Sequence, residues 1–329
     1  MGKLTKSEFR FRKHSNIGAA AAEDDEEFLK SCYVDTGDLD VLLDCNNSKR
    51  IIVGRTGVGK SALIIELRRK TQNVINISPE DLSFNRLVES TILNYFTKNG
   101  VNLDLFYRLL WRHVFTVELI KKRYNISNEA SKHSFIQRLE HIFSRDKGKK
   151  KAIDYLENWS DSFWEETDYR VKEITNKIEK ELSASAGSTV SDFKGLLSGT
   201  LKINEEQKRE VIEKGQNVVN SIQMSELSRV ISFLKEDVFD DDQSKFYITI
   251  DRLDENWIDE DNRYLLLRSL IETIRDFKKV TNVKIIIVLR TDLLNRTLRK
   301  TRDAGFQEEK YRSLYLPIVC RQSNSDKIA

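Results

Sequence analysis

The sequence predicts an α/β fold in which a parallel sheet carries helices on both faces and a large all-helical insertion interrupts the sheet. Three observations predict it. Short apolar runs near the two ends of the chain alternate with helical patterns, which favours parallel strands. A glycine-rich loop, 54–61, stands between one such run and a helical segment. The stretch between the early and late runs, 82–240, has almost wholly helical periodicity.

The predicted strands are short apolar runs, a pattern typical of strands that are buried on both faces of a sheet. They cover 50–53, 74–77, 246–250, 283–289 and 314–319. A helix is predicted directly after the glycine-rich loop, and another over 262–279, between the third and fourth runs. This alternation of strands and helices indicates parallel strands joined by crossover helices.

The glycine-rich loop reads Gly-Arg-Thr-Gly-Val-Gly-Lys-Ser and fits G-x-x-x-x-G-K-[ST] at every fixed position. In such a P-loop, backbone N–H groups wrap phosphates at the positive end of a helix. Lys60 places a charge near the β- and γ-phosphates, and the Ser61 hydroxyl can coordinate Mg²⁺. We therefore expect ATP and Mg²⁺ as ligands. The expected nucleotide-binding residues are Gly54, Arg55, Thr56, Gly57, Val58, Gly59, Lys60, Ser61 and Ala62.

The third strand is followed by acidic residues at its carboxyl end, where ligands gather in parallel sheets. Asp251 comes directly after the strand, and we expect it to hold Mg²⁺ together with Ser61. Asp254 and Glu255 follow on the turn, and one of them is expected to orient or deprotonate the attacking water. Glu255 is the favoured residue. The alternative is that both acids only cap the next helix.

The fourth strand runs into Arg290 at the same edge of the sheet. Arg290 or Thr291 is predicted to sense the γ-phosphate from the neighbouring strand. The alternative is an ion pair between Arg290 and an acid such as Asp251 or Asp292. The candidate catalytic residues are therefore Glu255, Asp254 and Arg290.

These motifs together resemble the STAND and KAP-related P-loop ATPases of bacteria, within the ASCE group. The segments 24–63 and 301–311 are also similar to a less-studied family of bacterial P-loop ATPases. The resemblance covers about 24–80 and 245–318 and implies a P-loop NTPase fold. Members of such groups often act as switches in defence against phage. The resemblance therefore implies a regulatory ATPase that works within an anti-phage defence complex.

Three departures from the family pattern bear on the expected activity. Ser61 and Asp251 are 190 positions apart, so a helical insertion is expected between them. Arg252 stands where many related ATPases have a second acid, which predicts slow hydrolysis. Only ten residues follow Val319, where STAND proteins continue into a lid. We therefore expect a protein partner or a second copy of the chain to complete the site.

The predicted organisation has a mobile N-terminal arm, 1–22, a nucleotide-binding core, 23–81 and 241–329, and a helical insertion, 82–240. With 55 basic and 52 acidic residues, the net charge of +3 does not by itself predict nucleic-acid binding. The basic run 147–151 is a weak indication of it. No apolar run reaches the length of a membrane span, and the three cysteines are scattered. The expected location is the cytoplasm, with no membrane partner.

The leading hypothesis from sequence is an ATP-driven regulatory switch with slow or partner-activated hydrolysis. Two alternatives stay open. One is a structural or interaction module that keeps ATP bound and hardly hydrolyses it. The other is a nucleic-acid-associated ATPase. A GTPase is disfavoured because no Asn-Lys-x-Asp motif follows the P-loop.

Overall fold

The computed structural model describes residues 33–82, 103–125, 244–301 and 307–319, together with isolated residues between 137 and 239. The predicted N-terminal arm, 1–22, lies outside the described residues. So does most of the predicted insertion, apart from the helix at 104–124 and those isolated residues. Within the described ranges, no helix combines the length and the apolar content needed to cross a membrane.

Five strands and five α-helices are traced in full within these ranges. The strands are β1 (Ile51–Gly54), β2 (Val74–Ile77), β3 (Phe246–Ile250), β4 (Val283–Arg290) and β5 (Tyr315–Pro317). The helices are α1 (Asp38–Leu43), α2 (Lys60–Lys70), α3 (Asp104–Tyr124), α4 (Glu260–Phe277) and α5 (Thr291–Lys300). Short 3₁₀ turns cover Pro79–Leu82, Glu308–Lys310 and Arg312–Leu314.

The five strands form one sheet in the order β2-β3-β4-β1-β5, and every neighbouring pair is parallel. The predicted α/β fold with a parallel sheet is thereby confirmed. The inner strands β1, β3 and β4 are buried along almost their whole length. Helices cover both faces of parallel sheets, which explains why these strands are continuously apolar rather than alternating.

The strands alternate their side chains between two hydrophobic cores, one on each face of the sheet. On β4, Ile285 and Ile287 belong to the core shared with α3, α4 and α5, whereas Ile286 and Val288 face α1 and α2. The helix that follows β1 therefore lies on one face, and the helices that follow β3 and β4 lie on the other. The loop after β1 therefore leaves the sheet towards one face, and the loops after β3 and β4 leave it towards the other.

The direction of the connections across the sheet reverses at the edge strand β2. From β1 the chain crosses over α2 to the far edge strand β2, whereas from β3 and β4 it returns across the opposite face towards β5. Right-handed crossovers require this change of face when the direction of travel reverses. Loops that leave adjacent strands towards opposite faces open a crevice at the carboxyl ends of the strands. The loops after β1 and β4 border that crevice.

Helix α3 falls inside the predicted insertion, yet its side chains belong to the same hydrophobic core as those of the sheet. Trp111 is fully buried, and its indole Nε1 donates to the Leu266 carbonyl of α4 at 2.9 Å. Ion pairs at the α3–α4 contact join Arg108 to Asp276 at 2.7 Å and Arg112 to the same carboxylate. This part of 82–240 is helical and packs directly on the core. The boundary of the insertion stays a prediction.

Candidate functional site

The loop between β1 and α2 needs its glycines for two different reasons. Gly57 and Gly59 have φ angles of +76° and +95°, in the left-handed region that side chains disfavour. Gly54 is needed for space, since a Cβ there would lie 2.7 Å from Val58 Cγ1 and 2.9 Å from the carbonyl oxygen of Ile318. The predicted phosphate-binding loop therefore has a compact conformation that only glycine allows at these positions.

Lys60 is the first residue of α2, and its ammonium group is folded back into the loop. Its Nζ donates to the Arg55 carbonyl at 2.8 Å, and the side chain is buried. Burial lowers the pKa of Lys60, while the nearby carboxylates of Asp251 and Asp254 act in the opposite direction. The loop thus holds a positive charge at the start of a helix, where backbone N–H groups also attract anions.

The Ser61 hydroxyl donates to Asp251 Oδ2 at 3.1 Å. This contact joins the first turn of α2 to the residue that follows β3, across 190 residues of chain. The two residues were predicted from separate motifs to share one metal ion. The fold brings them together because β1 and β3 both end at the same edge of the sheet, on either side of β4.

Two oxygen ligands at this position fit the chemistry of Mg²⁺. Magnesium is held by one or two protein oxygens while it keeps several waters and substrate phosphates, and it does not need a dedicated cage. The described residues contain no group of three or more His, Cys, Asp or Glu side chains that could hold a metal. A hydroxyl and a carboxylate in contact therefore suit a phosphate-bridged Mg²⁺ and not a structural metal with several protein ligands.

Arg290 ends β4 beside the loop, paired in register with Gly54. Its guanidinium donates to Asp292 at 3.1 and 3.0 Å and contacts Asp254 Oδ2 at 3.4 Å. Burial raises the pKa of Asp292, but the Arg290 guanidinium outweighs this and holds that pKa below its ordinary value. The ion pair with Asp292 that was foreseen as an alternative role is present, and the separate contact with Asp254 links the end of β4 to the turn after β3.

The second candidate acid, Glu255, faces a different partner. Its carboxylate lies 3.7 Å from Arg252 Nε, and both side chains are about half exposed. Arg252 itself has a φ of +59°, unusual for a residue with a side chain, and its N–H donates to Asp251 Oδ1 at 2.8 Å. Arg263 of α4 holds the same turn, because its Nη1 donates to the Glu255 carbonyl at 3.0 Å. Asp254 is thus the acid that contacts Arg290, and its negative charge also acts on the pKa of Lys60.

Cavities flank the loop on both sides. The one beside the Ser61–Asp251 contact has a volume of about 220 Å³ and lies between α2 and the end of β2. The one beside Arg55 and Arg290 has a volume of about 440 Å³ and reaches the first turns of α5. Both open at the carboxyl edge of the sheet, so the loop lies between two recesses that lead to solvent.

Two residues that line the smaller cavity, Arg68 and Asn76, were not predicted from the sequence. Arg68 lies two turns after Ser61 on α2 and hydrogen-bonds through Nη2 to Asn76 Oδ1 of β2. The Thr249 hydroxyl of β3 also donates to Asn76 Oδ1, at 3.2 Å. The sequence did contain a signal for each residue. Asn76 is a polar residue inside an apolar strand, and the seven-residue spacing from Ser61 to Arg68 places both side chains on one side of α2.

Comparison with known proteins yields one partial similarity. No family model matches the chain, and no solved structure matches it. The chain is 28% identical over 138 residues to a protein of Escherichia coli (strain K12) named as a transposon gamma-delta 80.3 kDa protein. That region is 40% of this chain and 19% of the relative, so the chain spans about a fifth of the relative's length. Family membership is not shown by a match of this extent.

Proposed function

We propose that this chain is a P-loop NTPase that binds Mg-ATP at 54–61 and hydrolyses it slowly, as a regulatory switch. The observation that carries the proposal is the contact between Ser61 and Asp251. A glycine-rich loop alone has other uses in α/β proteins. A loop serine in hydrogen-bond contact with an acid at the end of a second parallel strand is the arrangement that magnesium–nucleotide binding requires.

The residues divide the work as follows. The backbone N–H groups of the loop and the Lys60 ammonium would bind the phosphates, and Lys60 would exchange its Arg55 carbonyl partner for a phosphate oxygen. Ser61 and Asp251 would hold Mg²⁺, which supplies positive charge to the phosphates. Asp254 is our choice for the group that orients the attacking water, because it faces Lys60 and Arg290.

Slow turnover follows from how these groups are paired and exposed. Asp254 and Arg290 are 36% and 42% exposed and form an ion pair across 3.4 Å, so Asp254 has to leave this pair before it can orient the attacking water. Efficient hydrolysis also needs water excluded around the reacting phosphate. We therefore propose that a protein partner or a second copy of the chain covers this edge, and that ATP-bound protein is the resting state.

Titration of Mg-ATP into the wild-type chain and into Lys60→Ala tests the proposal. Loss of the ammonium is expected to weaken binding by about 10- to 150-fold, since a charged hydrogen bond contributes about 1.5–3 kcal/mol. Lys70→Ala is the matched control, because Lys70 is an exposed lysine at the other end of the same helix. Equal affinity of a folded Lys60→Ala protein and the wild type would refute ATP binding at this loop.

A second candidate function is a nucleic-acid-associated ATPase. The relative in Escherichia coli is named as a transposon protein, and this name is the observation that favours the second candidate over the module without turnover. The anti-phage setting implied by the resemblance remains the proposed biological role of the switch. Stimulation of ATP turnover by DNA or RNA would favour the second candidate, and unchanged turnover would favour the first.

A further inference from the structure

Helix α5 has one buried face and one strongly basic face. Leu293, Leu294 and Thr297 are buried against the sheet. On the opposite side the exposed positions carry Arg296, Arg299 and Lys300. Spacings of three and four residues put these three side chains on the same side of the helix, one turn apart. We call the three of them the α5 basic face.

The α5 basic face carries more positive charge than its surroundings neutralise. None of its three side chains forms an ion pair within the described part of the chain. They line a cavity of about 380 Å³ together with Tyr264 and Glu260 of α4. Among the described residues that line the cavity, Glu260 is the single acid. Its carboxylate accepts a hydrogen bond from the Tyr264 hydroxyl, and the charges of Lys300 and Arg296 help to hold its pKa below the ordinary value. One carboxylate therefore faces three cations, and it can balance only part of their charge.

The chemistry of the face indicates what it binds. A protein partner would need apolar or aromatic anchors at the centre of its contact, and a membrane surface would need an exposed apolar helix face. Neither is present here, because the apolar side of α5 is packed on the sheet and Tyr264 is only 2% exposed. Dense charge without apolar anchors suits the phosphate backbone of a nucleic acid, which proteins bind mainly through lysine and arginine.

We propose that the α5 basic face binds the phosphate backbone of a nucleic acid. The surface is distinct from the loop at 54–61, so the proposal stands whether or not that loop binds ATP. It gives the second candidate function a location, because Arg290 at the nucleotide edge immediately precedes α5. The contact is with phosphates, so affinity is expected to depend strongly on salt and weakly on sequence.

The experiment measures binding of a fluorescein-labelled DNA duplex, and of its RNA counterpart, by anisotropy without nucleotide. The test variant combines Arg296→Gln, Arg299→Gln and Lys300→Gln. The control combines Lys70→Gln, Lys278→Gln and Lys279→Gln, three exposed lysines at the C-terminal ends of α2 and α4. Titrations between about 50 and 200 mM salt give the slope of log affinity against log salt for each protein.

Each phosphate contact contributes about 0.9 to that slope, so the test variant is expected to lose up to about 2.7 from it and to bind more weakly. The control is expected to match the wild type. An unchanged slope in the test variant, or no binding of either duplex by the wild type, would overturn the proposal. Tighter binding of polyglutamate than of either duplex would also overturn it, in favour of an acidic protein partner.

Mg-ATP titration of the same test variant separates this proposal from the nucleotide site. The three substituted side chains lie outside the loop and the acids that we assign to ATP, so ATP affinity is expected to equal that of the wild type. Loss of nucleic-acid binding with full ATP binding supports the α5 basic face. Loss of both in the test variant would mean that the substitutions disturb the fold or the nucleotide edge, and it would overturn the assignment of a separate surface.

Discussion

Lys284 offers a quantitative test of the buried electrostatics at the amino edge of the sheet. It lies on β4 with 0% of its surface exposed, and its Nζ donates to the carbonyls of Val41 and Asp44, both at 2.7 Å. Burial, and after it the neighbouring Arg50 guanidinium, lower the pKa of Lys284 to about 7. We predict that Lys284→Met removes a large part of the pH dependence of stability near neutral pH.

The sign follows from proton binding in the two states. In the unfolded chain the lysine pKa returns to 10.5, so between about pH 7 and 10.5 the unfolded state binds more protons than the folded state. The free energy of unfolding therefore rises with pH across this window. For these two pKa values the rise between pH 7 and 8.5 is on the order of 1–2 kcal/mol. Arg50, with a pKa of about 10, and Cys45, with a thiol pKa above 9.0, stay protonated there.

Urea unfolding of the wild type and of Lys284→Met at both pH values provides the assay. The difference between the two proteins cancels other groups that titrate in this range. The wild type is expected to gain on the order of 1–2 kcal/mol more than the variant on going to the higher pH. Lys278→Met, at an exposed position, is the control and is expected to behave as the wild type. Equal pH slopes in the wild type and Lys284→Met would refute the buried, easily deprotonated lysine.

Two further predictions concern the nucleotide edge. Asp254→Asn is expected to slow single-turnover ATP hydrolysis by about 10²-fold or more, whereas Glu255→Gln changes it little, because Asp254 contacts Arg290 and Glu255 lies beside Arg252. The reverse order of rates would assign the role to Glu255. Gly54→Ala is expected to lower the free energy of unfolding by about 1–3 kcal/mol, since the added Cβ meets Val58 and a backbone carbonyl. A melting temperature equal to that of the wild type would contradict that close packing.

Local pattern was enough to predict most of the strands. β2 and β3 have the predicted bounds, and β4 extends one residue further, to Arg290. The last strand is shorter than predicted, because Leu314 still belongs to a 3₁₀ turn and only three residues pair with β1. α4 begins two residues early because the Asp259 carboxylate caps it, accepting from the Asn262 N–H at 3.1 Å. The ends of strands depend on their pairing partners, and the ends of helices depend on capping residues. The periodicity of apolar residues indicates neither.

Contacts between segments that are distant in the chain could not be predicted from the sequence. Nothing local to α3 indicates that Arg268 of α4 forms an ion pair with Asp104 at 2.9 Å, or that Arg268 is almost fully buried. The order of the strands is equally non-local, since it depends on which crossovers run over which face. Lys284 is a second example. A lysine within an apolar strand argues against burial of that position, unless the backbone carbonyls that accept its hydrogen bonds are known.

The choice between Asp254 and Glu255 shows why a motif identifies a site but not always the working atom. By position along the chain the two acids are equivalent, and one residue of difference rotates a side chain to another side of the turn. The turn is set by Arg252, whose left-handed φ of +59° lets its N–H reach the Asp251 carboxylate. After that bend Asp254 points to Arg290 at 3.4 Å, whereas Glu255 is left beside Arg252. A backbone angle that sequence rarely predicts for arginine therefore decides which carboxylate contacts Arg290 at the end of β4.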